Sequence, residues 1–68
     1  MDSVKLTKRE KQIVELVVEG KSSQEIADGL YVCKKTVDFH LANAYEKLRV
    51  NNRAQAVIRA VALGIATF

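Results

Sequence analysis

Apolar residues along this chain fall into four runs with the three-to-four-residue spacing of amphipathic helices. The first run contains Ile13, Leu16 and Val17, which share one helical face. Thr7 followed by Glu10 has the pattern of a capping box before this run, and Gly20 after it suits a helix end. A first helix from about Thr7 to Gly20 is therefore predicted.

A second, short helix is predicted after Ser22, which forms another capping-box pattern with Glu25. Its predicted inner face consists of Ile26, Ala27 and Leu30. Gly29, Tyr31 and Val32 are expected at or after its end, in a tight connection.

The third predicted helix runs from about Lys34 to Leu48, with Cys33 as a poor cap. Its apolar stripe is Val37, Leu41, Ala44 and Leu48. The opposite face is predicted to carry Lys35, Phe39, Ala42, Asn43 and Glu46.

The fourth predicted helix runs from Arg53 to about Leu63, between an Asn52 cap with Gln55 three residues on and Gly64. The residues expected to face inward are Ala54, Val57, Ala60 and Val61. Further apolar residues lie elsewhere around this helix, namely Ala56, Ile58, Ala62 and Leu63. A surface helix that is apolar nearly all round is expected to have more than one neighbour.

These elements predict an all-α fold, a compact four-helix domain spanning residues 1–68 as a single unit. The composition, 49% hydrophobic and 28% charged, is that of a globular protein. A chain of 68 residues has a thin core, which favours support from a partner subunit.

The charge distribution points to an anionic partner. Residues 1–33 carry five basic and six acidic side chains, whereas residues 34–68 carry six basic and two acidic ones, so the second half has a net charge of +4. One cysteine and one histidine cannot supply the usual four metal ligands or an internal disulfide, and no cofactor is predicted. With no signal peptide and no long apolar run, the expected location is cytoplasmic, without a membrane partner.

Residues 23–42 have the spacing of a helix-turn-helix, with the small Ala27 where two helices would cross. A plain helical hairpin has the same apolar spacing, so the spacing alone leaves both interpretations open. No paired carboxylates, nucleophile–base set or phosphate loop accompanies it, and we predict no enzyme.

The residues themselves favour the first interpretation, because the chain resembles the LuxR-type (GerE- or FixJ-type) DNA-binding domain of bacterial transcription regulators. The matching residues, in order, are Leu6-Thr7-Lys8-Arg9-Glu10, Glu19-Gly20-Lys21-Ser22, Glu25-Ile26-Ala27 with Leu30, Lys35-Thr36-Val37 with His40, Lys47-Leu48, and Asn52-Arg53 with Ala54 and Ala56. The resemblance implies a third helix in the major groove of double-stranded DNA and a two-part site. It also implies a fourth helix that joins a homodimer, for which we expect contacts by Val57, Ile58 and Val61.

Family members are usually the C-terminal output domain of a longer regulator, and some consist of this domain alone. Met1 lies five residues before the motif, which fits a bare member or an excised domain.

Lys34, Lys35 and Thr36 open the predicted third helix and are candidate DNA contacts. Two cations in a first turn oppose the helix dipole, which an anionic partner would explain; the alternative is a solvated pair. Thr36 is a candidate phosphate ligand as the family implies, or a residue that helps its own helix begin.

Asp38 and Phe39 depart from the basic and small aliphatic residues frequent in the family. Asp38 suits a cytosine amino group or an i, i+4 pair with Lys34, and Phe39 suits a thymine methyl group. Asn43 is a candidate adenine contact, and Lys47 a candidate phosphate contact or a surface ion pair.

His40 is expected to be a packed, hydrogen-bonded residue, and Cys33 a buried turn residue rather than a redox sensor.

The sequence therefore predicts a dimeric, sequence-specific DNA-binding regulator, with RNA polymerase as a further candidate partner. Two alternatives stay open: a sigma-factor-like promoter or polymerase contact module, and a helical protein-interaction module without DNA binding.

Overall fold

The computed structural model describes residues 5–66, and these form four α-helices without a strand. The helices are α1 Lys8–Val18, α2 Ser23–Leu30, α3 Lys34–Leu48 and α4 Arg53–Ala62. The predicted all-α fold of four helices is confirmed, and α3 has the predicted bounds. The ends of the predicted 1–68 domain, residues 1–4 and 67–68, lie outside the described residues.

The helix starts are fixed by local hydrogen bonds. At α1 the backbone N–H of Glu10 donates to the Thr7 hydroxyl at 3.1 Å, and the Thr7 N–H donates to the Glu10 carboxylate at 3.0 Å. Ser22 and Glu25 make the same reciprocal pair before α2, and hydrogen bonds from Ser22 lower the pKa of the exposed Glu25 carboxyl. Both predicted capping boxes are confirmed.

The cap of α4 departs from the predicted box. The Asn52 side chain accepts from the Gln55 N–H at 2.9 Å, but the Gln55 side chain accepts from the N–H of Asn51 rather than from that of Asn52. Gln55 therefore ties down the residue before the cap.

Helix α1 lies at the centre and is buried on two sides. Ile13 and Val17 pack with Ile26, Ala27, Val37 and Leu41 of α2 and α3. Val14 and Val18 pack with Ala44, Ala60 and Ala66, and so with α3, α4 and the residues after α4. The apolar spacing indicated one buried face of α1, whereas the folded helix has two.

Helices α2 and α3 form the helix-turn-helix, joined by residues 31–33. Ala27 and Val37 are completely buried, and Ile26 and Leu41 lie beside them in the same cluster. Because Ala27 has only a methyl group, the two helices can pack closely at this point.

The predicted inward face of α4 is wrong at two positions. Ala54 and Val61 are exposed, while Ala56 and Ala60 are buried. Val57 is half-buried and packs against both core clusters. The helix is rotated from the predicted phase because its small alanines, rather than its larger side chains, allow a close approach to the rest of the core.

Gly29 lies within α2 and does not end it, contrary to prediction. The helix ends instead at Tyr31, which has the left-handed backbone with φ +58°. Arg49 ends α3 in the same way, with φ +59°. With a left-handed backbone, the Cβ atom of any residue other than glycine lies too close to the following carbonyl oxygen. The backbone is therefore strained at both Tyr31 and Arg49.

We expect Arg49→Gly to be more stable than Arg49→Ala. Both variants remove the same charge and side chain, but only glycine relieves the left-handed strain, by about 1 kcal/mol. That difference corresponds to roughly 4–8 °C in Tm for a domain of this size, measurable by circular dichroism during thermal unfolding. Equal stability of the two variants would show that the Arg49 backbone is not strained.

Candidate nucleic-acid interface

Helix α3 presents one continuous outer face. Its buried stripe, Val37, Leu41, Ala44 and Leu48, is 0–6% exposed. At about 100° per residue, Phe39 lies on the opposite side of the helix, and its ring is 65% exposed. Lys35, Ala42 and Glu46 lie on the same outer face and are exposed.

The first turn of α3 contains an ion pair. The Lys34 ammonium lies 3.4 Å from the Asp38 carboxylate, and both side chains are about half exposed. Of the two roles predicted for Asp38, the i, i+4 ion pair with Lys34 is the one that this structure contains. Because the two charges offset each other, the positive potential of this turn rests on Lys35, which has no ion-pair partner among residues 5–66 and lies next to the exposed Thr36.

Lys47 is engaged elsewhere. Its ammonium donates to Oε1 of Glu10 at 2.7 Å, and this joins α3 to the start of α1. Glu10 is only 4% exposed, so the pair is not the solvated surface pair that was the alternative prediction for Lys47. Asn43, also predicted to face DNA, is half-buried.

The Lys47–Glu10 bond also sets the ionisation of Glu10. The hydrogen bond from Lys47 lowers the pKa of the Glu10 carboxyl, burial raises it, and the Thr7 N–H lowers it further, so that the pKa lies below its usual range. The carboxylate therefore stays charged and holds the ammonium near neutral pH.

Two smaller predictions in this region fail. Cys33 is exposed rather than buried, because the neighbouring Val32 fills the core position of the turn. It makes no side-chain cap bond to α3. The His40 ring makes no hydrogen bond within residues 5–66. It lies edge-on to the Phe39 ring, with the two ring centroids 5.8 Å apart.

Two features went unnoticed in the sequence. The Arg53 guanidinium donates to the backbone carbonyl of Lys21 at 2.8 Å, so the first residue of α4 holds the α1–α2 turn. Tyr31 is 95% exposed at the end of α2. The sequence gives no signal for the Arg53 contact, because its acceptor is the backbone carbonyl of a residue 32 positions away. The exposure of Tyr31 does have a signal in the sequence, namely a bulky residue in a helix-terminal turn where glycine or asparagine is usual.

The outer side of α4 is apolar. Ile58 is 69% exposed, Val61 is 39% exposed, and Leu63 follows them at the end of the helix. Of the three predicted dimer contacts, the structure thus presents Ile58 and Val61 to solvent and places most of Val57 in the core.

Comparison with known proteins agrees with this arrangement. The family model described as "Bacterial regulatory proteins, luxR family" matches residues 4–60. The chain belongs to the luxR family. Its four helices and helix-turn-helix are thus those of a LuxR-type DNA-binding domain of a transcription regulator.

Named luxR-family relatives differ in how much of their length the chain covers. It is 46% identical over 59 residues to the spore germination protein GerE of Bacillus subtilis, covering 87% of this chain and 80% of GerE. It is 52% identical over 60 residues to the transcriptional activator protein AnoR of Acinetobacter nosocomialis, covering 88% of this chain but 25% of AnoR. The chain therefore spans about a quarter of the length of AnoR.

Solved structures of similar proteins have the same fold. The structure of the transcription factor GerE superposes with a TM-score of 0.85 at 36% identity and covers 97% of both chains. The crystal structure of Escherichia coli SdiA gives a TM-score of 0.85 at 37% identity, covering 96% of this chain and 27% of SdiA. The transcription factor GerE and the activator AnoR are regulators rather than enzymes.

Over residues 5–66, no helix has the length and apolar character needed to span a membrane.

We expect Lys47→Met to destabilise the protein by about 1–3 kcal/mol at neutral pH, because it leaves the buried Glu10 carboxylate without its charged donor. Lys34→Met breaks only the exposed pair with Asp38 and should change stability by at most about 1 kcal/mol. Urea unfolding at pH 7 measures both. Equal effects would show that the Glu10 pair contributes no more than a surface contact.

The same pair should make the wild type sensitive to acid. Since the folded pKa of Glu10 is lowered, its stabilisation is complete above the unfolded value of about 4.3 and is lost as pH falls through the folded pKa. In Lys47→Met, the hydrogen bond that most lowers the Glu10 pKa is absent. The loss of folding stability between pH 7 and pH 3 should therefore be smaller in this variant than in the wild type. An unchanged pH profile between pH 3 and 7 would contradict the assignment.

Proposed function

We propose that the chain is a sequence-specific DNA-binding transcription regulator, or the output domain of one, which places α3 in the major groove and dimerises through α4. Such a protein acts where the chromosome lies, which in a bacterium is the cytoplasm. The observation that carries the proposal is the outer face of α3, where Lys35, Thr36 and Phe39 are all exposed, while the opposite side of the helix is buried in the core.

The N-terminal half of α3 is the part suited to enter DNA. The helix has 15 residues and is about 22 Å long, whereas the major groove is about 12 Å wide, so only part of it can lie against base edges. Glu46, near its C-terminal end, would repel phosphate, while Lys34 and Lys35 lie at the other end. In this arrangement Lys35 and Thr36 contact phosphates, and Phe39 and Asn43 face the bases.

The roles of three predicted DNA contacts, Lys34, Asp38 and Lys47, are modified in this proposal. Lys34 and Asp38 form a pair of no net charge, so they position each other on the edge of the interface, and DNA would have to compete for either group. Lys47 retains hydrogen-bonding capacity toward a phosphate, because its side chain is 39% exposed, but its main contribution is to fix α3 on α1 through Glu10.

The exposed face of α4 suits a second copy of the chain. Ala54, Ile58 and Ala62 follow each other at i, i+4 spacing with Val61 beside them, and all four are exposed. Small residues on either side of Ile58 would let two such helices approach closely. A two-fold dimer of this kind would present its two α3 helices to half-sites about one helical turn apart.

Lys35→Ala should weaken DNA binding and reduce its dependence on salt. A lysine–phosphate contact contributes about 0.9 to the slope of log K against log salt, so its removal should make that slope shallower by this amount. The measurement is a fluorescence-anisotropy titration at several salt concentrations with a duplex selected from a random pool and an unselected duplex of equal length. Lys11→Ala is the matched control, since Lys11 lies beside Gly64 and Ile65, near the chain ends.

Failure of the wild-type protein to bind either duplex at low salt would overturn the proposal. It would favour the protein-interaction module instead. Equal slopes for Lys35→Ala and the wild type would exclude Lys35 as a phosphate contact while leaving DNA binding intact.

Ile58→Asp and Ile58→Lys should both weaken self-association, because either charge would be buried in an apolar dimer interface. Sedimentation equilibrium measures the dimer dissociation constant, which we expect to rise at least tenfold. Val57 is unsuitable for this test, since a charge there would disrupt both core clusters. Thermal unfolding shows whether the Ile58 variants still fold.

A wild-type protein that stays monomeric at high concentration would contradict the dimer and favour the sigma-factor-like module. Unchanged dimerisation in both folded Ile58 variants would place the dimer contact elsewhere.

A further inference from the structure

The exposed large apolar side chains of residues 5–66 fall into two groups. Ile58, Val61 and Leu63 lie on or just after α4, and Tyr31 and Phe39 lie in the helix-turn-helix. Ile58, Val61 and Phe39 belong to the surfaces already proposed, and Leu63 is the residue at which α4 ends. Tyr31 has no role in them, although at 95% it is the most exposed of the five.

Tyr31 contributes nothing to packing and strains the backbone. Its ring makes almost no contact with the rest of the chain, and its φ of +58° is a conformation that glycine or asparagine adopts at lower free energy. Its backbone closes α2 through N–H bonds to Ala27 and Asp28, which any residue could provide. A strained residue whose side chain the fold does not use points to a contact outside the chain.

The position of Tyr31 identifies that contact. It ends the first helix of the helix-turn-helix, the helix that crosses the DNA backbone when the second lies in the groove. Lys34 is the third residue after Tyr31, so their Cα atoms are at most about 11 Å apart, a span of about three base-pair steps. The neighbouring cation Lys35, which has no ion-pair partner among residues 5–66, favours an anionic partner over a protein surface at this end of α3.

We propose that the Tyr31 hydroxyl donates a hydrogen bond to a DNA phosphate flanking the groove that α3 occupies, and that Tyr31 is thereby a positioning residue for α3. This inference rests on the proposed DNA-binding function. A phenol is a neutral donor, so it binds a phosphate oxygen without displacing a counterion. It fixes the position of the protein on the duplex and carries no sequence information.

Tyr31→Phe removes only the hydroxyl and distinguishes this role from the others. We expect about a tenfold loss of affinity per bound subunit, as for a hydrogen bond to a charged group, by the same factor on the selected and unselected duplexes. The slope of log K against log salt should stay at the wild-type value, whereas removal of a lysine–phosphate contact makes it shallower by about 0.9. Tyr45→Phe is the matched control, because Tyr45 is half-buried against the core, and its affinity should equal that of the wild type.

A second variant separates the side chain from the backbone. Tyr31→Gly should unfold at a higher temperature than Tyr31→Ala, because glycine relieves the strain, yet both should bind DNA at least as weakly as Tyr31→Phe. If Tyr31→Gly bound DNA more tightly than Tyr31→Phe does, the proposal would be overturned.

The remaining outcomes are also decisive. If the wild type binds DNA and Tyr31→Phe binds equally well, the hydroxyl–phosphate contact is excluded while the DNA-binding function stands. If the loss differs between the two duplexes, Tyr31 contacts a base and the phosphate assignment is wrong. If the wild type binds neither duplex, the proposed function itself fails.

Discussion

The fold depends on one helix that must be buried on two sides at once. In α1 the adjacent pairs Ile13–Val14 and Val17–Val18 are all at most 5% exposed, so one turn supplies apolar groups to both core clusters. One cluster carries the helix-turn-helix and the other carries α4. Each pair contributes one residue to each cluster, so a charged or smaller residue at any of the four positions would loosen the cluster to which that position belongs.

The two ion pairs of the described residues differ in how far they are shielded from water. Glu10 and Lys47 meet at a buried carboxylate and join α1 to α3, whereas Lys34 and Asp38 pair in solvent on a single helix. The first pair fixes the orientation of α3, since a buried charge without its partner is costly. The second contributes little to stability and moderates the charge at the start of α3, which leaves Lys35 as the main cation on its outer face.

Most of the exposed apolar groups lie on the surfaces for which we propose contacts with other molecules. The exposed large apolar side chains of residues 5–66 lie in the helix-turn-helix and on or just after α4. Of the two strained residues, Tyr31 lies between α2 and α3, and Arg49 ends α3. This separation fits a module that contacts DNA with one surface and a second copy of itself with another. Both surfaces are joined to the same core, because α1 packs against the helix-turn-helix and against α4.

Local sequence was sufficient to predict the helices. Capping residues such as Thr7 and Ser22 act within four residues of themselves, and the 3.6-residue period of the α3 stripe defines a buried face without reference to any neighbour, so these features were predictable. The luxR family was predictable for a different reason, the ordered resemblance of residues along the chain to that family. The rotation of α4, the burial of Ala56 instead of Ala54, and the partners of Lys47 and Arg53 became known only from the packed helices. An apolar helix presents several possible faces, and a long cation several possible acceptors. The choice among them is made by groups distant in sequence, such as Glu10, 37 residues before Lys47, that come together only when the helices pack.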